Sequence, residues 1–394
     1  MSLPLLETLP FELDQFMLLE RLATGGMADV YLAVDREAAT PRWVAIKRIR
    51  ADLAAHREFL DFFVIEGRLS LACHHPHLPT AYHLGHASGR PYLALEYIAG
   101  PTVLALFRAA ARRRRPIAVP AALTIAVAAA RALDHLHGLR DLGGRALDVV
   151  HRDVTPQNLL VGPDGVVKLI DFGVARTNFQ AHRTEAGVIK GKYAYIAPEQ
   201  LDRKRQIDQR ADLFSLGVVM HELLTGHPLF HGASDLDTTE RVKAAPIPHP
   251  SVVRAEVPAE IAEVVLGALA RDPDKRWPSA ASLVDALERA AESAGVWLWP
   301  GRLAREVVNL VGTPRTPTLR DGTVVWRDGV APAAIGDDDG DGDDAVTPVV
   351  EVRNEAGGWE APKVPADPQL SYFLSAGAVD KPWQGSDSTD VTRG

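Results

Sequence analysis

A single cysteine, Cys73, stands in the whole chain of 394 residues. That excludes an intramolecular disulfide framework and fits a reducing compartment. A long apolar run is also missing. The most apolar stretch, Ile117 to Ala130, is shorter than the ~20 residues a membrane span needs. It contains Pro120 and Thr124 and leads into Arg131 and Asp134, so a buried helix is expected and no membrane span. Met1 to Phe16 carry no basic region followed by an apolar core, so no secretory signal is read there. Nor is there a basic excess: the formal net charge is -8, which argues against a general nucleic-acid binder. These absences point to a cytoplasmic protein whose partners are not nucleic acids.

What is present suits a globular protein. Hydrophobic residues make up 46% and charged residues 24% of a chain long enough for two or three domains. The stretch His151-Arg152-Asp153-Val154-Thr155-Pro156-Gln157-Asn158 holds one carboxylate able to act as a general base and one amide able to hold a metal. A second carboxylate follows in Asp171-Phe172-Gly173. Between them, Leu159-Leu160-Val161, Gly162-Pro163-Asp164-Gly165 and Val166 to Ile170 read as strand, tight turn, strand. Such a hairpin brings Asn158 and Asp171 to the same end. Two oxygen ligands at a hairpin mouth, beside a third acid, suit a hard cation such as Mg²⁺ carrying phosphates.

Upstream, residues 16 to 50 read as three strands, with a turn at Thr24 to Asp29 containing Gly25 and Gly26. Small residues let backbone N–H groups approach phosphate oxygens, though Gly-Gly hairpins are common. Lys47 lies inside an apolar strand, Trp43 to Ile49, and by itself reads as a surface lysine. Residues 52 to 72 carry a helical period with Glu66 on or beside the apolar stripe. A carboxylate there needs a cation, and Lys47 is the candidate. Cys73-His74-His75-Pro76-His77 tempts a zinc reading, but adjacent side chains do not easily aim at one ion, and a loop ending the helix before Pro76 is the better account. Two more strands are expected at Thr80 to His86 and Tyr92 to Ile98. Beyond Gly100-Pro101, helical patterns run at 102–111, 120–137, 212–225, 258–270 and 279–293. A small strand-rich lobe, a larger helical lobe, a hinge near Glu96 to Gly100 and a ligand cleft between the lobes follow.

Arg112 to Arg115 reads as a solvated helix end. After residue 293 the periodicity fades; Trp297, Trp299 and Leu303–Val311 are expected to form a last short helix on the lower lobe. Thr313-Pro314 and Thr316-Pro317 then open a low-order region. Asp337 to Asp344 fits half of a calcium loop, but the closing acid falls on Pro348, so an acidic disordered linker is expected. Trp326, Trp359 and Trp383 are isolated in this tail, placed either to dock a partner or to fold back on the lobes.

Six segments occur in one order: Val44-Ala45-Ile46-Lys47, His151-Arg152-Asp153 with Asn158, Asp171-Phe172-Gly173, Ala197-Pro198-Glu199, Asp212 to Gly217, and Arg271-Asp272-Pro273 with Arg276. With them, residues 16 to about 293 resemble a bacterial eukaryotic-type (Hanks-type) serine/threonine protein kinase. The resemblance implies an α+β, two-lobed protein-kinase-like fold. A small antiparallel-sheet N-lobe with one main helix would span 16–98, and a helical C-lobe 99–293. An N-terminal extension, 1–15, would precede it, and a tail, 294–394, would follow as a short helix and a largely disordered acidic segment. ATP and Mg²⁺ are implied, with transfer of the γ-phosphoryl group to Ser or Thr of protein substrates and autophosphorylation in the activation loop. The alternative is a catalytically weak or inactive kinase-fold scaffold.

By the same resemblance Lys47, oriented by Glu66, holds the α- and β-phosphates, Asp153 accepts the substrate hydroxyl proton, and Asn158 and Asp171 bind magnesium. Leu22, Val30 and Ala45 would lie above the adenine and Leu160 below, with Leu95 at the back and backbone groups of Glu96 and Ile98 at its edge. Ala23, Gly25 and Gly26 belong to the loop over the phosphates. Glu199 and Arg276 are implied to form a buried pair. Arg152 is implied to bind a phosphorylated loop residue; Thr177 and Thr184 are the candidates, Thr184 the principal one. Four positions depart from the family pattern: alanine stands at 23 and 28 in place of glycine, Thr155 in place of lysine, and Lys192 in place of threonine. The last two identities look exchanged, which gives Lys192 the part of the cation that Thr155 does not supply.

Overall fold

The computed structural model describes residues 9–171, 192–202, 205, 207–320 and 323–326. Its upper lobe is a six-stranded sheet in the order β1-β2-β3-β4-β6-β5, with every pairing antiparallel. The strands are β1 (Phe11–Leu13), β2 (Phe16–Thr24), β3 (Ala28–Asp35), β4 (Arg42–Ile49), β5 (Ala81–Ala87) and β6 (Arg90–Glu96). Alternation along β4 sorts its side chains onto two faces. Val44 and Ile46 join Phe16, Leu18, Tyr31 and Tyr92 in one core. Residues of the other parity, Ala45, Lys47 and Ile49, face helix α1 (Arg57–Ala72) and the cleft, where Ile49 packs with Phe63 and Leu93.

Two local features differ from the sequence expectation. Residues 11–13, assigned to an N-terminal extension, add a strand to the sheet, because Leu13 is buried in the first core and Phe11 packs against it. The turn after β2 is tighter than the six residues expected: the strands reach Thr24 and resume at Ala28, closed by Gly25 N–H to Ala28 O at 2.9 Å. Ala23 and Ala28 lie in strands, both buried and neither at positive φ. Alanine is therefore accommodated at both positions without backbone strain.

The lower lobe is helical: α2 (Val103–Arg112), α3 (Val119–His137), α4 (Arg210–Thr225), α5 (Asp235–Ala244), α6 (Pro250–Val253), α7 (Ala259–Ala268), α8 (Ala280–Ser293) and α9 (Pro300–Val311). The sequence marks several of their ends. The Thr102 side chain accepts from Ala105 N–H at 3.1 Å to start α2, and Ser279 and Ser282 form a capping box on α8. Gly226, at φ 78°, stops α4. Helix α3 is the apolar run of the sequence. It is long and apolar enough to cross a membrane, but 78% of its most apolar window is buried inside the protein, as expected of a core helix. Helix α4 is buried along almost its whole length, from Ala211 to Thr225. After α9, where low order was expected, β9 (Pro317–Arg320) and β10 (Thr323–Trp326) pair as a hairpin.

Between the lobes lies the short hairpin β7 (Leu159–Val161) and β8 (Val167–Leu169). Its first strand is clamped to the chain leaving the sheet. Val161 N–H donates to Pro101 O, and a Cβ on Gly100 would stand 1.8 Å from Val161 O, so only glycine fits there. Buried charge fastens the rest of the lobe. Arg276 meets Glu199 in a two-bond fork of 2.6 and 2.7 Å, both side chains almost without exposure, as the resemblance implied.

Glu222 on α4 holds the turn at Lys192–Tyr195: it accepts from the Tyr195 hydroxyl at 2.7 Å and from Leu229 N–H at 2.9 Å. Burial pushes its carboxyl up to about 7, against the pull of those two bonds. A carboxyl raised in the folded state contributes stability that is full below its ordinary value near 4.5 and is lost as pH rises through about 7. Denaturant midpoints measured from pH 4.5 to 7.5 are expected to show this decline, on the order of 3 kcal/mol. The Glu222→Gln variant is expected to flatten it.

Candidate active site

Three stretches of chain meet at the cleft. From the sheet comes Lys47; from the inner face of α1, Glu66; from the mouth of the β7–β8 hairpin, Asp171. Lys47 Nζ donates to Glu66 Oε1 at 2.6 Å and to Asp171 Oδ1 at 2.8 Å. Glu66 is 8% exposed, so the stripe position expected for it is a buried one. Burial works against the Lys47 ammonium, but the Asp171 and Glu66 carboxylates outweigh it and hold the group above its ordinary value. The surface-lysine reading of Lys47 is thereby set aside.

Asp153 and Asn158 face each other across the turn that joins His151 to strand β7. Asn158 Nδ2 donates to Asp153 O and to Asp153 Oδ2, each at 2.8 Å, and both residues are buried. With its nitrogen spent on Asp153, the Asn158 amide keeps its oxygen for a cation. That oxygen and the Asp171 carboxylate are hard donors at one hairpin mouth, a set that fits Mg²⁺. Asp171 and Arg152 both hold positive φ, 59° and 63°, which a non-glycine residue adopts only when its surroundings impose it. For Arg152 the surroundings are plain. Asp212, fully buried on α4, accepts from His151 N–H at 2.8 Å and from Arg152 N–H at 2.7 Å. His137 Nε2 lies 2.8 Å from the same carboxylate. Burial alone would raise the Asp212 carboxyl; the contacts from His137, His151 and Arg152 N–H hold it below its usual range.

A cavity opens beside Lys47. Leu22, Val30 and Ala45 line it from the sheet, Leu160 and Ile170 from the hairpin, and Leu95, Glu96, Tyr97 and Ile98 along the hinge. Lys47 and Asp171 form its inner end, with Pro79 and Gly100 completing the wall. Of the expected nucleotide-contacting residues, Ala23, Gly25 and Gly26 do not line it. Ala23 is buried beside a bulge in β2, and the two glycines lie beyond the strand in the turn. Tyr97, Pro79 and Ile170 carried no sequence signal of their own.

Behind the hinge, polar contacts tie the lobes together. Glu96 Oε2 accepts from Lys168 Nζ at 2.8 Å and from Thr80 N–H at 3.0 Å, and Lys168 Nζ also donates to Leu78 O. Leu169 N–H donates to His77 O, whose ring Nδ1 lies 2.9 Å from Val167 O. The His75 ring stacks on His135 of α3, with centroids 5.1 Å apart. The histidine run after α1 thus serves as a seam between lobes. Thr177 and Thr184, with the Lys192 side chain, lie outside the described residues.

A strand-borne lysine paired to a helix glutamate, an acid–amide pair on one turn, and a carboxylate at a hairpin mouth beside an apolar slot meet between the two lobes. The protein kinase domain family matches residues 16–286, and the chain belongs to it. Over 274 residues the chain is 37% identical to the tyrosine-protein kinase MasK of Myxococcus xanthus, and over 288 residues 36% identical to the serine/threonine-protein kinase PknB of Mycolicibacterium smegmatis. These matches take in 69% and 71% of this chain but only 42% and 43% of those proteins. The PknI kinase domain of M. tuberculosis, known from a crystal structure, superposes with a TM-score of 0.53 at 26% identity, covering 72% of this chain and 98% of that one. The likeness to bacterial serine/threonine kinases read from the motifs holds, and among the described residues of the site nothing favours an inactive scaffold.

Removing the shared cation leaves two carboxylates facing each other. Lys47→Met is expected to destabilise the protein by ~3 kcal/mol, and Lys47→Met with Glu66→Gln by clearly less than the sum of the two single changes. Urea unfolding of the three variants measures this coupling.

Proposed function

We propose that the chain is an ATP-dependent protein kinase that transfers the γ-phosphoryl group to serine or threonine hydroxyls of other proteins. The observation that carries this reading is the Lys47 ammonium held between Glu66 and Asp171 at 2.6 and 2.8 Å. The adenine ring fits the slot between Leu22, Val30, Ala45 and Leu160. Its polar edge would meet the Ile98 N–H, which makes no hydrogen bond among the described residues, and the Glu96 carbonyl. Lys47 binds phosphate oxygens and keeps them aligned with the catalytic turn. Asp153, oriented by Asn158, accepts the proton of the attacking hydroxyl as its oxygen bonds to phosphorus and the bond to the bridging oxygen breaks. Magnesium, held by Asn158 and Asp171, would supply charge neutralisation at the phosphates.

Two features of this reading concern cations. The Thr155 hydroxyl is buried and has no hydrogen-bond partner among the described residues, at the position where the family's lysine would stand. Lys192 opens the turn packed under Glu222 and supplies the missing charge in this proposal. Arg152 is lowered by burial, only partly offset by Asp212, and its guanidinium makes no ion pair among the described residues. A phosphate on Thr184, or secondarily Thr177, would give it an anionic partner.

Incubation of the full chain with labelled ATP and Mg²⁺ tests the activity. Label on serine or threonine that falls ~10²–10⁴-fold in Asp153→Asn is expected, with Thr184 as the main site on the chain itself. Label confined to tyrosine, or equal label in both proteins, overturns the reading. Lys192→Arg is expected to keep most of the rate and Lys192→Met to lose it; an unimpaired Lys192→Met removes that residue from the mechanism.

A further inference from the structure

The kinase family match stops at residue 286, yet α9 is built into the lobe. Leu303, Val307 and Leu310 are buried on one face of this helix, which packs against α2 and α3. The same face carries Glu306, a carboxylate only 6% exposed. Its Oε2 accepts from Arg115 Nη2 at 3.1 Å, and its Oε1 from Ala118 N–H at 3.4 Å. Ala118 is the N-cap residue of α3 and has no side chain to cap with. Glu306 therefore does from a distant helix what a local aspartate does elsewhere, setting negative charge at the positive end of α3. Arg113 Nη1 donates to Asn309 O and closes the contact.

The other end of α9 reaches the catalytic hairpin. Gly165, at φ 81° in the β7–β8 turn, lies so close that a Cβ there would stand 1.9 Å from Pro300 O and 2.9 Å from Ala304 N. One helix thus touches both the α2–α3 corner and the turn of the hairpin. The opposite end of that hairpin presents Asn158 and Asp171, and its first strand supplies Leu160 to the cavity floor.

We propose that α9 is a brace for the catalytic hairpin and that Glu306 is a positioning residue for nucleotide binding, acting through the α2–α3 corner and the hairpin turn. Only the nucleotide readout below rests on the kinase reading. The full chain is compared with Glu306→Ala, Glu306→Gln and Val307→Ala, and with Val308→Ala as control, since Val308 is 46% exposed away from the contact. Amide exchange is followed in residues 159–169 and 300–311, and KM for ATP and kcat are measured separately. Glu306→Ala is expected to speed exchange in both segments and to raise KM for ATP about fivefold, the size of losing one helix cap, with kcat nearly unchanged. Glu306→Gln keeps one acceptor oxygen and turns its N–H₂ toward the other donor, so it is expected to recover only part of the loss; Val308→Ala is expected to match the parent. Faster exchange in α9 with an unaltered hairpin and KM overturns the proposal, as does an α9 that exchanges freely in the parent chain. Should Glu306→Ala not accumulate folded, Val307→Ala is judged by the same criteria. A parent chain that transfers no phosphate would defeat the kinase reading, and the hairpin exchange would still decide the brace.

Discussion

The Lys47 ammonium stands between a carboxylate of each lobe, Glu66 on α1 and Asp171 on the hairpin, and the shape of the cleft depends on it. Two carboxylates brought this close, one of them buried, would repel each other without a cation. The strand parity of β4 aims Lys47 into the cleft, and the apolar stripe of α1 carries Glu66 inward with it. Glu66, the buried one of the two acids, depends on that cation most. The same electrostatic need that orders the three side chains therefore fixes the helix against the sheet and the sheet against the lower lobe.

Below the cleft two buried acids, Asp212 and Glu199, anchor the frame. Asp212 spends its oxygens on two backbone N–H groups of the catalytic turn and on His137. Glu199 and Arg276 satisfy each other in a fork, and Arg276 also donates to Ala270 O, Arg210 O and Arg271 O. Buried charge repays its desolvation only with such geometry. The result is a lower lobe whose polar core holds the unfavourable φ of Arg152 in place, so that Asp153 is presented in one orientation.

Much of this was legible in the chain. The hairpin between Asn158 and Asp171 could be read from two short apolar runs around Gly162-Pro163-Asp164-Gly165, and the lobes from the change of period at Gly100. Glu66 and Lys47 could be paired because an acid on or beside the apolar stripe called for a cation and Lys47 was the candidate. The rest was hidden for physical reasons. Strand β1 is three residues long and has no alternation to detect. Helix α5 buries only Thr238 and Val242, so its apolar stripe is too thin to stand out. The two prolines after α9 read as breakers, although the chain resumes pairing at Pro317. Ala23 was placed over the phosphates by motif position alone, and it does not line the cavity. Glu306 gave no signal, since its partners lie almost two hundred positions earlier and nothing local marks an acid as a remote helix cap.

The contact between Gly100 and Val161 O bears on how the cleft could open. With no room for a single carbon between them, the chain leaving the sheet is welded to the hairpin strand at that point. The upper lobe can then swing about an axle near residues 97–99, but it cannot slide away from its seat. Access for a nucleotide becomes a matter of angle, with the fulcrum on the lower lobe and the cavity floor travelling with it.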